Sequence, residues 1–181
     1  MKLTIKEKPE ALMKRLRAVQ KLKDTKVKVG LPESAGGRLR FILAVQEHGS
    51  PVMRIPARPV VQPALAGEDT RAAVSEELRN AVRSAWEGSD PHDALRAAGQ
   101  AGADGIRAYI DAGIPPPNSP VTVSGGWIYN RAARKGVYIA GKGKNKPLFD
   151  TGALYDAFGY EIAESVMGIP VFMQTTGLQF F

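Results

Sequence analysis

The sequence predicts an α+β fold: a small mixed or antiparallel sheet packed by two long helices, with an extended loop and an apolar C-terminal tail. Three observations carry this reading. Two stretches, about 69–87 and 91–113, repeat apolar residues at helical spacing. Two short stretches, "TKVKVG" and "YEIAESV", have strand character and lie far apart in the chain. The chain is 181 residues long and 44% hydrophobic, enough to bury one core.

Near the N-terminus, "PEALMKRLRAVQKLKD" sets Leu12, Leu16 and Val19 on one face with Pro9 at its start, which predicts an amphipathic basic helix over 1–24. "TKVKVGLP" alternates Val27 and Val29 with lysines and breaks at Gly30, the pattern of a half-buried strand. "ESAGG" reads as a turn. "RLRFILAVQEHG" puts Leu39, Ile42, Leu43 and Gln46 on a helical face, with Gly49 as the stop. "SPVMRIPARPVVQPAL" has too many prolines for a central strand or long helix. It predicts an extended connector turning into a short helix after Pro63.

The stripe Val74, Leu78, Ala81, Val82 and Ala85 then predicts a core-facing helix, capped by Asp69 or Thr70 and stopped by Gly88. Trp86, near its end, is expected in the core. In the next helix Asp90 is the expected cap and Pro91 the first helical residue. Leu95, Ala98, Gly102, Ile106 and Tyr109 share a face. Gly99, Gly102 and Gly105 each cost about 1 kcal/mol of helix stability against Ala, which predicts close approach of another backbone. Residues 118–147 show no helix or strand period and read as a long loop. "DTGALYDAF" reads as the entry to a short helix, with Asp150 and Thr151 as cap residues. The main domain is thus 25–164. The tail 165–181 ends in two phenylalanines and should pack on the domain or on a neighbour.

The net charge is +7 and unevenly placed. Residues 1–28 hold ten Lys/Arg against three acids, and residues 131–146 hold six against none. Such segments attract nucleic acid or acidic protein surfaces, or form a solvated face and a mobile loop. Aromatic residues do not alternate with the basic ones as a nucleobase-stacking platform requires. There is no cysteine, which excludes disulfide and thiolate chemistry. His48 and His92 lie in unrelated segments, so no His/Cys metal cluster is expected. "GKGKNKP" matches a phosphate cradle in composition but not in spacing. There is no G-x-S-x-G and no Cys–His pair. No cofactor and no enzymatic activity are expected. No run of apolar residues is long enough for a membrane span, and "MKLTIKEKPE" lacks the apolar core of a secretory signal.

The tripeptide Asp150-Thr151-Gly152 is shared with aspartic proteases, whose dyad needs two carboxylates sharing a proton. Only 29 residues follow Gly152, and much of the preceding chain reads as helix rather than strand. A structural role therefore fits better.

Three stretches in order resemble one family: "AVQEHGSPVMRIPARPVVQPAL" (44–65), "IRAYIDAGIPPPNSPVTV" (106–123) and "KPLFDTGALYDAFGYEI" (146–162). Glu47, Gly49, Ile55, Pro56, Arg58 and Pro59 carry the first match. Pro116, Pro117, Asn118, Pro120 and Thr122 carry the second. Pro147, Leu148, Asp150, Thr151, Gly152, Leu154 and Tyr160 carry the third. Together they resemble the virion-morphogenesis proteins of tailed bacteriophages and prophages, also called neck or tail-completion proteins, over about residues 25–163. Val60 replaces the usual Phe, and Ala157 stands near the usual Ser. The insert "VSGGWIYNRAARKGVYIAGKGKN" is longer than the family's basic loop.

The resemblance implies a non-enzymatic virion protein, assembled in the host cytoplasm, that joins the head connector to the tail as a homo-oligomeric, hexameric ring. Its implied partners are copies of itself, a head-side connector or adaptor, and a tail terminator, tube or sheath protein. Trp127, Lys142, Lys144, Lys146, Phe172, Phe180 and Phe181 are the candidate interface residues. Two alternatives stay open: a DNA-binding module using the basic N-terminus and loop, and an aspartic protease acting through Asp150.

Overall fold

The computed structural model describes residues 8–52, 54–130, 134–143 and 145–164. In chain order the elements are α1 (Pro9–Leu22), β1 (Thr25–Gly30), a single 3₁₀ turn (Glu33–Ala35), α2 (Gly36–His48), α3 (Val61–Ala66), α4 (Glu68–Glu87), α5 (His92–Ala112), α6 (Pro120–Ser124), β2 (Gly126–Asn130), β3 (Lys135–Ile139), α7 (Ala153–Asp156) and β4 (Gly159–Glu164). The fold is mixed helix and strand, with long helices α4 and α5 and two small antiparallel sheets, β1–β4 and β2–β3.

The chain forms two compact units. Of the described residues, the first combines 8–30, 65–104 and 159–164. Its sheet pairs β1 with β4, Val27 opposite Ile162 and Val29 opposite Tyr160. The two stretches with strand character in the sequence are therefore partners in space. The glycines of α5 receive the sheet's side chains: a Cβ at Gly99 would collide with the Tyr160 ring, and one at Gly102 would lie 2.9 Å from Val29 Cγ2. The neighbour is thus a side chain rather than the expected backbone. Helix α4 begins after Gly67, with no side-chain cap; Asp69 and Thr70 lie inside its first turn. Gly88 ends it in the left-handed region at φ 83°, as expected of a C-terminal glycine. Asp90 behaves as expected, its Oδ1 accepting from the His92 N–H at 3.0 Å. Trp86 is not in the core; it is partly exposed, with the Arg15 guanidinium 5.9 Å from its ring centre.

The second unit combines residues 31–64 and 105–158. Its core is built from Val60, Ile106, Ile110, Ile114, Leu154 and Phe158, with Ala44 and Ala64. Here the structure corrects the sequence reading most. Residues 118–147 are not one irregular loop: they hold α6 and the β2–β3 hairpin. The runs "WIYN" and "GVYI" are short and set apolar residues side by side rather than alternating them with polar ones, and the surrounding Gly, Lys and Arg leave no period over any longer window. Helix α2 starts at Gly36, so the predicted turn "ESAGG" is half 3₁₀ turn and half helix. Helix α3 starts before Pro63, which falls in its first turn, where a missing N–H costs nothing. Lys144 and the tail 165–181, with Phe172, Phe180 and Phe181, lie outside the described residues.

Candidate interaction surface

The three motif stretches meet in the second unit over residues 44–64, 106–123 and 146–158. Arg58 is the centre of the junction. It comes after the turn at Gly49, where a Cβ would sit 2.7 Å from Ala57 N and 2.8 Å from Ile55 O. Only glycine allows the chain to fold back so closely, and Ser50 and Ile55 close the turn with a pair of backbone hydrogen bonds. Ile55 is half-buried, while Pro56 and Pro59 are exposed and keep the connector extended. This aims the Arg58 side chain inward, where it is only 8% exposed.

The Arg58 guanidinium donates from Nε to the Pro116 carbonyl at 2.8 Å and from Nη2 to the Pro117 carbonyl at 3.1 Å. Nη1 donates to Gln46 Oε1 at 3.4 Å. Burial pushes its pKa below the usual value, but an arginine stays cationic. The planar fork suits two successive carbonyls, which a point charge could not serve together. Beside it, Glu47 Oε1 accepts from the Val60 and Val61 N–H groups at 2.9 and 2.8 Å. The carboxylate thereby caps α3 from another helix and satisfies two donors in the core.

The third stretch joins through Asp111. Its carboxylate accepts from Lys146 Nζ at 2.6 Å and from the Tyr155 hydroxyl at 2.8 Å. The Lys146 bond, then the Tyr155 bond, hold Asp111 below its usual pKa, and the same carboxylate pushes Tyr155 up. Lys146 also lies over the rings of Phe149 at 4.6 Å and Tyr155 at 5.6 Å. Asn118 donates its backbone N–H to Asn145 Oδ1 at 3.0 Å. Helix α2 packs on α7, where Leu154 is buried.

The Asp-Thr-Gly tripeptide takes three separate roles. Asp150 is not the cap of α7; its carboxylate pairs with Lys142 at 3.0 Å on the surface. Thr151 Oγ1 accepts from the Ala153 N–H at 3.3 Å. Gly152 occupies the N-cap position in the left-handed region at φ 86°. Lys142 and Lys146, interface candidates on charge alone, therefore both bind carboxylates within the chain.

Between the second and third stretches the β2–β3 hairpin stands exposed. Trp127 pairs with Tyr138 and Tyr129 with Gly136, so three aromatic side chains share one face. They are 73% (Trp127), 66% (Tyr129) and 56% (Tyr138) exposed. Trp127 and Tyr138 meet edge to face at 5.7 Å. The hairpin base is pinned: Lys142 and Gly143 donate to the Thr122 and Val123 carbonyls, both at 2.9 Å. Gly141 runs so close to the backbone of Val123–Gly125 that no Cβ fits there. Trp127 was singled out in the sequence as a candidate interface residue, and it is exposed. Tyr129 and Tyr138 were not, because their exposure depends on the hairpin register.

Among the described residues no group of His, Cys, Asp and Glu is placed to hold a metal ion, and no helix is long and apolar enough to cross a membrane. Compared with protein-family models, curated proteins and solved structures, the chain has no significant match.

Proposed function

We propose that this chain is a structural subunit of a tailed-phage or prophage virion, of the neck or tail-completion class. In this reading it forms a homo-oligomeric ring between the head connector and the tail and carries out no catalysis. The observation that carries the proposal is the aromatic hairpin. A two-stranded hairpin is marginally stable alone in water. One that exposes Trp127, Tyr129 and Tyr138 on one face gains most by packing against another chain. The sequence resemblance to the phage family supports the class of that partner. Arg58, Glu47 and Asp111 hold the three resembling stretches together, and the hairpin projects from between two of them. A subunit that uses one patch to bind a different patch on its neighbour closes into a ring when the rotation permits.

Native mass measurement of the full chain over a range of concentrations tests this. A closed oligomer is expected, and Trp127→Ala with Tyr138→Ala should shift it toward monomer with unchanged circular dichroism. A chain that stays monomeric throughout, or an oligomer indifferent to both substitutions, would count against it.

One observation favours a second reading, nucleic-acid binding. The hairpin exposes three aromatics, and the sequence segment 131–146, which contains its second strand, holds six basic residues and no acid. Stacking on these rings would quench Trp127 fluorescence when an oligonucleotide is added, with an affinity that falls steeply as salt rises. No quenching at low salt would remove this reading. The protease alternative gains no support from the surroundings of Asp150, whose carboxylate pairs with Lys142 at the surface of its own chain.

A further inference from the structure

Among its described residues, the first compact unit buries little apolar bulk. Its buried apolar side chains, among the described residues, are Ala81, Ala85, Leu95, Ala98 and Ala103. Leu95 alone exceeds alanine. Beside them runs an apolar groove of about 280 Å³ between β1, α4 and α5, lined by Leu22, Val27, Val29, Val74, Leu78 and Val82 among others. Leu78 and Val82 belong to the stripe that predicts a core face, yet they are 41% and 46% exposed. Water filling such a groove would find few polar partners there. Apolar side chains from elsewhere would fill it favourably.

The course of the chain names the occupant. β4 runs antiparallel to β1, and its last residue, Glu164, stands opposite Thr25. Thr25 and Leu22 line the groove, so the chain leaves β4 at the groove's mouth. The remaining segment, "SVMGIPVFMQTTGLQFF", has no charged residue and carries Val166, Met167, Ile169, Val171 and Phe172 within its first eight positions. An extended chain advances about 3.3 Å per residue, so this segment is ample to run the length of the groove. We propose that residues 165–181 of the same chain close the groove and complete the core of this unit. Tethering at Glu164 gives the segment a high effective concentration at its own groove, which a second copy's tail does not have. Phe172, Phe180 and Phe181 then belong to an intrachain contact, where sequence alone suggests a surface for partners.

Photo-crosslinking tests the assignment in the full chain. Benzoylphenylalanine replaces Val82 in one variant and Leu78 in a second, so that one misfolded variant does not decide the outcome. A third variant carries it at Lys28, on the opposite face of β1. Equal amounts of isotopically heavy and light chains are mixed before irradiation and the products are mapped by mass spectrometry. Positions 82 and 78 should crosslink to residues 165–181 within a single isotopic species. Their yield should exceed that of position 28 by on the order of tenfold or more, as expected for a tethered segment. Heavy–light products would mean that a second copy's tail fills the groove. Products elsewhere in the chain, or equal yield from position 28, would mean that the tail does not. Each of these overturns the proposal.

Discussion

Replacing Arg58 should be among the most damaging single changes outside the apolar core. Arg58→Met keeps most of the stem and removes the fork. Two charge-assisted hydrogen bonds disappear, to the Pro116 carbonyl at 2.8 Å and the Pro117 carbonyl at 3.1 Å. The third contact, 3.4 Å to Gln46, is at the edge of a useful bond and adds little. Hydrogen bonds to a charged group are worth about 1.5–3 kcal/mol each, so the two together would give about 3–6 kcal/mol. Pro116 and Pro117 are themselves exposed, so water can reach their carbonyls once the guanidinium is gone. Against this relief, the expected loss is about 2–4 kcal/mol.

Arg58→Lys is the sharper comparison. It keeps the charge but cannot serve two successive carbonyls in one plane, so it should recover less than half of the loss. Urea unfolding monitored by circular dichroism measures both, read as a shift in midpoint at unchanged slope. A methionine variant within about 1 kcal/mol of the parent, the range of an ordinary surface change, would refute the junction. A lysine variant equal to arginine would refute the role of the fork.

The same junction sets two further outcomes. Glu47→Ala should cost about 2–3 kcal/mol, because it strips the acceptor from two N–H groups, one of them on the fully buried Val60; Glu47→Gln, which keeps an acceptor oxygen, should cost less in the same urea assay. The bonds from Lys146 and Tyr155 lower the pKa of Asp111 on folding, so the unfolded chain takes up that proton at higher pH than the folded one. The stabilisation is then complete above the free-carboxyl value of about 3.9 and is lost as the pH falls through the lower folded value; Asp111→Asn should flatten this acid limb of melting temperature against pH, and an unchanged limb would contradict it.

Helices α1, α2, α4 and α5 were legible because each is long enough for its apolar period to show, whereas α6, at five residues, is not. The sheet was half legible: β1 and β4 have strand composition, but nothing local to either says that they pair. That pairing depends on α5, whose glycines at 99 and 102 admit Tyr160 and Val29. The junction was visible as motif residues in sequence and invisible as chemistry. Arg58 looks like any surface arginine until the chain brings the carbonyls of Pro116 and Pro117 to it. The charge reading misled in the opposite direction. Lys142 and Lys146 look like unpaired cations in a basic run, and their acids, Asp150 and Asp111, lie outside that run. The hairpin was missed because a two-stranded element with both faces exposed has no buried face to set a clean polar–apolar alternation.

For the Asp-Thr-Gly tripeptide, the structure ranks its residues by their weight in stability. Catalysis through Asp150 would be lost on Asp150→Asn with folding intact, so it makes no demand on that ranking. In the structure its carboxylate meets Lys142 across an exposed ion pair, and such pairs contribute about 0–1 kcal/mol. Gly152 is different. Its φ of 86° is a conformation that L side chains rarely adopt. The space around it is adequate, since an added Cβ would lie 3.4 Å from Asp156 Oδ2 and 3.8 Å from the Phe149 ring. The penalty for Gly152→Ala is therefore one of backbone strain, about 1–2 kcal/mol, and it falls at the start of the turn that buries Leu154. Asp150→Asn should leave the unfolding midpoint almost unmoved, and Gly152→Ala should lower it clearly. If asparagine at 150 proves more costly than alanine at 152, the carboxylate has a role that an exposed pair with Lys142 does not explain.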